Sequence, residues 1–519
     1  MLAKETSDCK ENVDMKKNIL QYLECNAIQY PDKTIFASEN TAVSYAEFTA
    51  SAKKIGSSLL KKSLHKANIA VFVDKSVSCL LAMMGVVYAG SCYTVIDVQS
   101  PTDRINTILD TFHPSCILTD KKNVTKCSKI TGIMTLTLEQ MLEKDADEAL
   151  LSMARKVQVD TDPLYVLFTS GSTGIPKGSV ICHRSVIDYA ETICKTFNID
   201  ETTVWGSQTP FYFSMSILDV FSTICAGATL YIIPKMYFSF PVLLIEFLNE
   251  KKINSIYWVP TAMNIVADFD TFSEAVPNYL TKALFAGEVM PVKQLNYWMD
   301  HLPKVLFANL FGPTEITDTC TYYIVNRRFN NNESLPIGIP FDNCDVLVLN
   351  EDYQLVRKPE DGRGELFVRG SFLGMGYYNN SQKTAEAFVQ NPLNTAYPEL
   401  LYKTGDIVAY NEYGELIYFG RKDHQIKHLG HRIELGEIET AVSSIEGVTR
   451  ACCVYDNTQL RIVLFYSGNA EPDNVLDRVK TAVPKYMVPQ EAIKLNALPM
   501  NMNGKIDRVK LVGFLHENK

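Results

Sequence analysis

The sequence predicts an α/β protein with a large N-terminal body of helix-covered β-sheets, a small β-barrel-like part and a small, mobile α+β C-terminal lid. Up to about residue 340, apolar runs with strand character alternate with helical stretches. From there to about 420 the strands become short and are separated by Gly and Asp/Asn turns. Beyond residue 423 the chain is more charged and carries an amphipathic helix over 434–446.

Parallel sheets covered by helices are the arrangement that this alternation favours in the body. The predicted strands are Ile69 to Val73, Ser115 to Leu118, Thr229 to Ile233, Ser255 to Val259 and Lys282 to Ala286. Residues 364–370 and 411–418 show the strand-and-turn pattern of the β-rich part. With the boundary placed near Asp423, the predicted domains are 1–422 and 423–519.

One uncharged stretch, residues 76–96, is long enough to suggest a membrane span. Gly90 and Ser91 interrupt it, so we expect a buried helix before the break and a strand after it. We therefore predict no membrane span.

The overall composition excludes some classes of partner and compartment. A formal net charge of -9 disfavours a nucleic-acid surface. The 13 cysteines include no C-x-x-C pair, which suits reduced thiols packed in a core rather than disulfides or a zinc site. The polar N-terminus has no apolar stretch of the kind that a secretion signal needs, so we expect a cytoplasmic protein.

Residues 169–178, Thr-Ser-Gly-Ser-Thr-Gly-Ile-Pro-Lys-Gly, combine glycines, hydroxyl groups and one lysine directly after the apolar run 164–168. Small residues let backbone N–H groups approach an oligophosphate, while hydroxyls donate to its oxygens and the lysine offsets its charge. The segment differs from the Walker loop because Pro176 precedes Lys177 and Gly178 follows it. An ordinary Gly/Ser turn is the alternative interpretation.

Four further segments follow in a fixed order: 309–315, 402–406, 420–423 and 503–507. With the phosphate loop, and with the early segments 43–48 and 88–97, they resemble the acyl-adenylate-forming (ANL) superfamily over nearly the whole chain. Within it the chain is most similar to adenylation domains of the nonribosomal-peptide-synthetase type and to D-alanine:carrier-protein ligases. Because the chain ends shortly after Lys505 without a carrier segment, we expect a stand-alone domain.

The resemblance implies two substrates, which are ATP, bound with Mg²⁺ in the nucleotide site, and a carboxylic acid. It implies that Lys177 and Glu315 are catalytic, with Glu315 also the metal ligand. Phe311 offers a flat face to the adenine, Asn309 an amide to its edge, and Asp406 two acceptor oxygens to the ribose. The full nucleotide-binding set comprises Thr169, Ser170, Gly171, Ser172, Thr173, Gly174, Lys177, Gly287, Glu288, Asn309, Phe311, Gly312, Thr314, Asp406, Arg421 and Lys505.

Lys505 is the catalytic lysine of the lid in this resemblance. It lies on an Asn-Gly turn and reaches the nucleotide when the lid closes. The lid then rotates about Asp423, and Gly430 leaves room for a phosphopantetheine arm. His428 and Leu429 depart from the family pattern beside it.

The predicted acid pocket carries an unusual polar pair. Ser214 stands where members that activate α-amino acids have an aspartate, which partners the substrate ammonium. Either the substrate lacks an α-amino group, or its amine reaches Asp318. A structural Asp318, solvated or paired with an arginine, is the alternative interpretation. A hydroxy, aryl, β-amino or other unusual small acid is therefore favoured. The predicted pocket residues are Phe213, Ser214, Met215, Leu218, Tyr257, Leu284, Ala286, Leu310, Asp318 and Thr319.

The function that the resemblance implies is an AMP-forming acid:thiol ligase. It activates a small carboxylic or amino acid as acyl-AMP and transfers it to the phosphopantetheine thiol of a separate acyl or peptidyl carrier protein. Two alternatives stay open at this point: an acyl-CoA ligase, and a catalytically inactive nucleotide-binding scaffold. Lys177, Glu315, Asp406 and Lys505 speak against the scaffold.

Overall fold

The computed structural model describes residues 16–130, 132–170, 176–330, 333–422, 425–500 and 506–517. Its strands are β1 (Thr34–Ala37), β2 (Ala42–Ser44), β3 (Asn68–Phe72), β4 (Cys92–Val95), β5 (Cys116–Thr119), β6 (Thr135–Thr137), β7 (Pro163–Thr169), β8 (Lys177–Cys182), β9 (Val204–Ser207), β10 (Thr229–Ile232), β11 (Ser255–Trp258), β12 (Lys282–Phe285), β13 (Leu306–Phe311), β14 (Thr321–Ile324), β15 (Ile339–Pro340), β16 (Cys344–Leu349), β17 (Gly364–Gly370), β18 (Phe388–Gln390), β19 (Leu400–Tyr410), β20 (Leu416–Arg421), β21 (Gln425–His428), β22 (His431–Glu434), β23 (Val448–Asp456), β24 (Arg461–Gly468) and β25 (Glu491–Lys494).

The α-helices are α1 (Leu20–Gln29), α2 (Tyr45–Leu60), α3 (Val77–Tyr88), α4 (Thr102–Phe112), α5 (Val124–Ile130), α6 (Leu138–Leu142), α7 (Glu148–Lys156), α8 (His183–Phe197), α9 (Ser216–Ala226), α10 (Pro241–Glu250), α11 (Pro260–Asp268), α12 (Val292–His301), α13 (Ser381–Ala387), α14 (Leu435–Ser443), α15 (Pro472–Ala482) and α16 (Arg508–Glu517). Short 3₁₀ helices cover Lys235–Ser239, Thr271–Ser273, Thr314–Ile316, Pro359–Asp361 and Lys485–Met487.

The chain divides into two compact units. Unit 1 comprises Met1–Val98, Phe112–Leu167 and Ser179–Gly420, and unit 2 comprises Gln99–Thr111, Phe168–Gly178 and Arg421–Lys519. The predicted boundary residue Asp423 lies outside the described residues, so the division into 1–422 and 423–519 stays a prediction.

Two mixed sheets with long parallel runs dominate the described part of unit 1. The larger sheet has the strand order β15-β14-β13-β12-β11-β9-β10-β1-β2, and the second has the order β6-β5-β3-β4-β7-β8, with the adjoining ends of β7 and β8 in unit 2. The pairs from β13 through β12, β11, β9 and β10 to β1 are parallel. A single buried apolar cluster joins these sheets to their helices, so the predicted α/β fold is confirmed.

The uncharged stretch 76–96 forms a buried helix and a strand, as the sequence predicts. Ser76 caps α3 by accepting the N–H of Cys79, and the helix ends before Gly90, whose φ of 69° suits a residue without a side chain. β4 follows and pairs in parallel with β3. No helix in the described part of the chain has both the length and the apolar character to cross a membrane.

Residues 344–421 form the predicted β-rich part, a curled half-barrel sheet of antiparallel strands β16-β17-β19-β18 with β20 on β19. In unit 2, the hairpin β21–β22 and the sheet β23-β24-β25 pack with α14, α15 and α16 around apolar clusters of their own. The amphipathic segment predicted over 434–446 is α14. The cysteines of the described residues are free thiols, and most are buried.

Candidate active site

Three neighbouring parallel strands carry predicted pocket residues on one face of the large sheet. Tyr257 in β11 is the direct partner of Leu284 in β12, and Leu284 is the partner of Ala308 in β13. Because side chains alternate between the faces of a strand, Leu310, two residues beyond Ala308, lies on the same face as Tyr257. All of these side chains are buried, as is Ala286, which follows β12.

The turn that leads into α9 supplies a second group of predicted residues. Met215 is buried beside the helix start, and Leu218 is buried in its first turn. Phe213 and Ser214 are partly buried, and the Phe213 ring contacts Tyr212. The hydroxyl of Thr314 donates to the Ser214 Oγ at 3.2 Å, which joins this turn to the segment after β13.

Hydroxyl groups from separate elements converge on the carboxyl group of Asp318. The hydroxyls of Tyr189 in α8 and Tyr257 in β11 both donate to Asp318 Oδ2, at 2.9 and 3.0 Å. The Tyr189 oxygen also lies 2.8 Å from Thr319 Oγ1. We call Tyr189, Ser214, Tyr257, Asp318 and Thr319 the Asp318 cluster.

The environment of Asp318 favours its neutral form. Burial raises the pKa of Asp318 to about 8, and the negative charge of Asp219 acts in the same direction. Hydrogen bonds from the hydroxyls of Tyr189, Tyr257 and Ser214 lower the pKa, but by less than burial raises it. The carboxyl group is therefore largely protonated at neutral pH until a charged partner reaches it.

A strained turn positions Asp318. Thr317 has φ 76° and ψ -60°, the values of the rare positive-φ γ-turn. The N–H of Asp318 accordingly donates to the carbonyl oxygen of Ile316 at 3.0 Å. The Thr317 hydroxyl donates to the Phe372 carbonyl oxygen at 2.8 Å, which holds this conformation in place. Strain of this kind persists where the surrounding structure over-determines the backbone, often at functional sites.

Gly312 allows the backbone around Asp318 to approach β13. A Cβ atom on Gly312 would lie 2.4 Å from Thr319 Cα and 2.6 Å from the Asp318 carbonyl oxygen. No side chain fits at such distances. The glycine in the Phe-Gly-Pro-Thr-Glu segment is therefore required by packing against the residues that carry the Asp318 cluster.

Glu315 is completely buried in the short 3₁₀ helix that follows β13. The Tyr377 hydroxyl donates to its Oε1 atom at 2.6 Å, and the N–H of Gly374 donates to its backbone carbonyl oxygen at 2.8 Å. These contacts fix both the side chain and the backbone of the predicted metal ligand.

Asn309 and Phe311, which the sequence assigns to the adenine, lie in β13. The Asn309 Nδ2 atom donates to the Pro336 carbonyl oxygen at 2.7 Å, so one of its two N–H groups is used within the protein. The Phe311 ring contacts Tyr418, with centroids 5.6 Å apart.

The remaining predicted nucleotide residues of unit 1 are held by local hydrogen bonds. The Asp406 N–H donates to Thr404 Oγ1 at 3.0 Å. Glu288 Oε2 accepts from the N–H and the hydroxyl of Thr261, at 2.9 and 2.7 Å, and so satisfies an N–H in the first turn of α11. The preceding Gly287 has φ 91°, which favours glycine.

In unit 2 the described residues of the phosphate loop contact the hairpin β21–β22. The Ser170 hydroxyl donates to the Arg432 carbonyl oxygen at 2.6 Å and accepts the Glu434 N–H at 3.1 Å. The Lys177 ammonium lies 3.5 Å from Glu434 Oε1, an oxygen that also accepts from Gln425 at 2.7 Å. The cation predicted to bind phosphate is therefore paired with a protein carboxylate.

The hairpin itself turns at a predicted thiolation residue. Leu429 and Gly430 both have positive φ, 52° and 76°, as a two-residue I′ turn requires. Leu429 is exposed at the tip, whereas His428 is buried and contacts the Tyr455 hydroxyl at 3.1 Å. Burial lowers the pKa of His428. Arg421 ends β20.

Some predicted site residues lie outside the described residues: Gly171, Ser172, Thr173, Gly174, Asp423 and Lys505. Thr169, the first residue of the loop, donates from its hydroxyl to the Lys177 carbonyl oxygen at 3.5 Å.

Comparison with known proteins identifies the family. A family model described as "AMP-binding enzyme" matches residues 23–378, more than half of the chain. The chain belongs to the AMP-binding enzymes. It is 31% identical to tyrocidine synthase 1 of Brevibacillus parabrevis over 95% of this chain and 45% of the relative. It is also 31% identical to bacitracin synthase 1 of Bacillus licheniformis, over 97% of this chain and 10% of the relative. The chain thus spans less than half of either relative.

Solved structures share the fold of this AMP-binding enzyme. The Vibrio cholerae adenylation domain AlmE, solved in complex with glycyl-adenosine-5′-phosphate, superposes with a TM-score of 0.84 at 23% identity, covering 98% of this chain and 99% of AlmE. A holo nonribosomal peptide synthetase protein containing adenylation and PCP domains, bound to a vinylsulfonamide inhibitor, gives 0.82 at 21% identity, covering 95% and 84%.

Two residues that contact predicted site residues of this AMP-binding enzyme, Tyr189 and Glu434, were not predicted from the sequence. Tyr189 lies on the buried face of the amphipathic helix α8, where its hydroxyl is indistinguishable by pattern from a core tyrosine. Glu434 begins the segment that the sequence identifies only as a helix. Tyr189 and Asp318 are 129 positions apart, so no local sequence pattern indicates that their side chains meet.

We predict that Gly312→Ala destabilises the protein. The added Cβ overlaps backbone atoms rather than a flexible side chain, so the free energy of unfolding falls by about 1–3 kcal/mol. Denaturant unfolding measures the change. Gly132→Ala is the matched control, because a Cβ there has no atom within 4 Å. Equal stability of the two variants would contradict the packing role of Gly312.

Proposed function

We propose that the chain activates a small carboxylic or amino acid as acyl-AMP and transfers the acyl group to the phosphopantetheine thiol of a separate acyl or peptidyl carrier protein. The observation that carries the proposal is its membership of the AMP-binding enzymes over residues 23–378. The predicted site residues of unit 1 support it, because several of them are buried and joined by hydrogen bonds.

The first step joins two anions. A carboxylate oxygen forms a bond to the α-phosphorus of ATP, the bond from that phosphorus to the bridging oxygen breaks, and pyrophosphate leaves. In the second step the thiolate sulfur bonds to the acyl carbonyl carbon and AMP leaves, while the thiol proton passes to solvent. Both steps require positive charge where negative charge accumulates, and the proposal assigns that task to Lys177 and Lys505.

Mg²⁺ is the metal that this reaction class uses, and the chemistry of Glu315 fits it. Mg²⁺ takes oxygen ligands and is held by one or two carboxylates together with substrate phosphates. Glu315 supplies one carboxylate, which Tyr377 orients. Within the described residues no group of three or more His, Cys, Asp and Glu side chains forms a metal site. When bound, the metal offsets phosphate charge; the residues of this chain hold and orient the two substrates.

The carrier protein as acyl acceptor is supported by the neighbour structure that contains adenylation and PCP domains. Coenzyme A is the second candidate acceptor, because an o-succinylbenzoate CoA synthetase of Bacillus subtilis has the same fold, with a TM-score of 0.81 at 18% identity. Thioester formation with free coenzyme A and with a phosphopantetheinylated carrier distinguishes the two. The free thiols of the described cysteines support a reducing, cytoplasmic location.

Acid-dependent exchange of labelled pyrophosphate into ATP tests the proposal directly. We expect exchange with at least one small acid, and its complete absence across hydroxy, aryl, α-amino and β-amino acids would refute acyl-AMP formation.

Lys505→Ala is expected to lower the adenylation rate at least about 100-fold while ATP binding changes little, because this cation acts on the charge that develops in the transition state. Single-turnover acyl-AMP formation and equilibrium ATP binding measure the two effects. Lys510→Ala, five residues further along the chain, is the matched control. Equal and negligible product from the unmodified protein and the variant would support the inactive-scaffold alternative, whereas an equal and measurable rate would contradict the catalytic role of Lys505.

Glu434→Gln is expected to tighten ATP binding by about threefold to tenfold, because the amide no longer competes with phosphate for the Lys177 ammonium. Isothermal titration measures the affinity. The exposed Glu446→Gln removes the same charge from unit 2 elsewhere and controls for the general electrostatic effect. Weaker ATP binding in Glu434→Gln than in Glu446→Gln would show that Glu434 supports the phosphate site rather than occupying it.

A further inference from the structure

Two buried carboxyl groups near the predicted acid pocket, those of Asp219 and Asp318, differ in the charged groups beside them. Asp219 in α9 interacts with the ammonium of Lys75, whose Nζ atom also donates to the Ser207 carbonyl oxygen at 2.9 Å. Asp318 interacts with hydroxyl groups and with the negative charge of Asp219. Among the described residues, no lysine, arginine or histidine pairs with Asp318. A buried carboxyl group without a cation is costly unless a ligand supplies one.

The hydrogen bonds around Asp318 hold the carboxyl group in one orientation. Tyr189 and Tyr257 reach the same oxygen, Oδ2, from a helix and from a strand of the large sheet. The Ser214 hydroxyl is a third group that acts on this carboxyl. Two donors on Oδ2 fix the orientation of the carboxyl group, and a carboxylate has acceptor capacity for a further partner. Asp318 therefore has the arrangement of a recognition residue.

The position of Ser214 indicates how far from the substrate carboxylate that partner lies. Ser214 carries no charge, and its Oγ accepts from Thr314 at 3.2 Å, so it cannot neutralise an ammonium group. The Ser214 hydroxyl hydrogen-bonds to the Asp318 carboxyl group, which places the two groups about one hydrogen-bond length, or roughly 3 Å, apart. Each added carbon extends a substrate by about 1.5 Å at most. A substrate amine that pairs with Asp318 thus lies further from the substrate carboxylate than an α-amino group does.

We propose that Asp318 is the amine-binding residue of this enzyme and that the acid it activates is a small β- or γ-amino acid. Tyr189 and Tyr257 are positioning residues that hold the Asp318 carboxyl for the substrate ammonium. The apolar side chains of Met215, Leu218 and Leu284 keep the acceptable substrate small. This inference rests on the proposed acyl-AMP chemistry and specifies its substrate.

The proposal requires a particular pH dependence. The Asp318 carboxyl must be ionised to pair with the ammonium, and its pKa in the ligand-free protein is about 8. The groups that interact with it are the hydroxyls of Tyr165, Tyr189, Tyr257 and Ser214 and the carboxyl of Asp219. An alkyl ammonium stays protonated up to roughly pH 10. The specificity constant, kcat/KM, for the amino acid therefore rises with pH through about 8.

Pyrophosphate exchange with matched acids tests the substrate class. β-Alanine is compared with 3-hydroxypropionate, and 4-aminobutyrate with 4-hydroxybutyrate, since each pair differs only in ammonium against hydroxyl. Glycine and D-alanine represent α-amino acids. We expect kcat/KM for the better β- or γ-amino acid to exceed that of its hydroxy analogue by roughly 100-fold, because a charge-assisted hydrogen bond is lost. Preference for a hydroxy acid or for an α-amino acid overturns the proposal.

Asp318→Asn tests the residue. This variant is expected to lower kcat/KM for the amino acid by roughly 30- to 100-fold, to leave the hydroxy acid within about threefold and to abolish the rise with pH. Asp342→Asn, an exposed carboxylate, is the matched control and retains both preference and pH profile. Equal losses for the two acids indicate a structural role and overturn the proposal. If Asp318→Asn does not fold, Tyr189→Phe is measured instead, with a smaller selective loss expected for the amino acid.

Direct binding separates failure of this inference from failure of the proposed function. Non-reactive acyl-sulfamoyl adenosines made from β-alanine and 3-hydroxypropionate are titrated into the unmodified protein and Asp318→Asn. Selective binding of the β-alanine analogue that depends on Asp318, without exchange by any acid, means that the recognition site stands and the catalytic proposal fails. Pyrophosphate exchange without selective binding of the β-alanine analogue means that the catalytic proposal stands and the recognition site fails. Absence of both refutes the two together.

Discussion

The constraint on which the site depends is the burial of the Asp318 carboxyl group without a cationic side chain beside it in the described part of the chain. Two tyrosine hydroxyls from α8 and β11 and a strained γ-turn at Thr317 hold it there. A protein core disfavours an ionised group of this kind, so the backbone strain and the three hydroxyl groups that hold it support the proposal that it binds a cationic ligand.

The fold follows from patterns that the sequence states locally. Runs such as Thr229 to Ile233 become strands because they are apolar, rich in β-branched residues and bounded by turns, and the structure confirms them within a residue or two. The break at Gly90 separates helix from strand because its positive φ ends α3. Residues predicted for the acid pocket are neighbours where β11, β12 and β13 align them, since parallel register places Tyr257 beside Leu284.

What the sequence could not show depends on contacts between distant segments. Tyr189 and Asp318 are 129 positions apart, and α8 gives no sign that one of its buried tyrosines faces an acid. Lys177 and Glu434 are 257 positions apart, so the carboxylate that pairs with the phosphate-loop lysine was equally hidden. Asn309 was predicted to be available to adenine, yet one of its N–H groups is used by Pro336, whose position depends on how the chain after β14 returns. Such pairings arise from tertiary packing, which overrides local preference.

One competition reaction tests together the formation of acyl-AMP and the recognition of the substrate amine by Asp318. The unmodified protein is given ATP, Mg²⁺ and equal amounts of the better of β-alanine and 4-aminobutyrate and of its hydroxy analogue, and the quenched mixture is analysed by mass spectrometry for the two acyl-AMP products. The aminoacyl-AMP is predicted to predominate by roughly two orders of magnitude, as expected for a charge-assisted contact to Asp318. Comparable amounts of the two products, or an excess of the hydroxy product, would contradict this prediction.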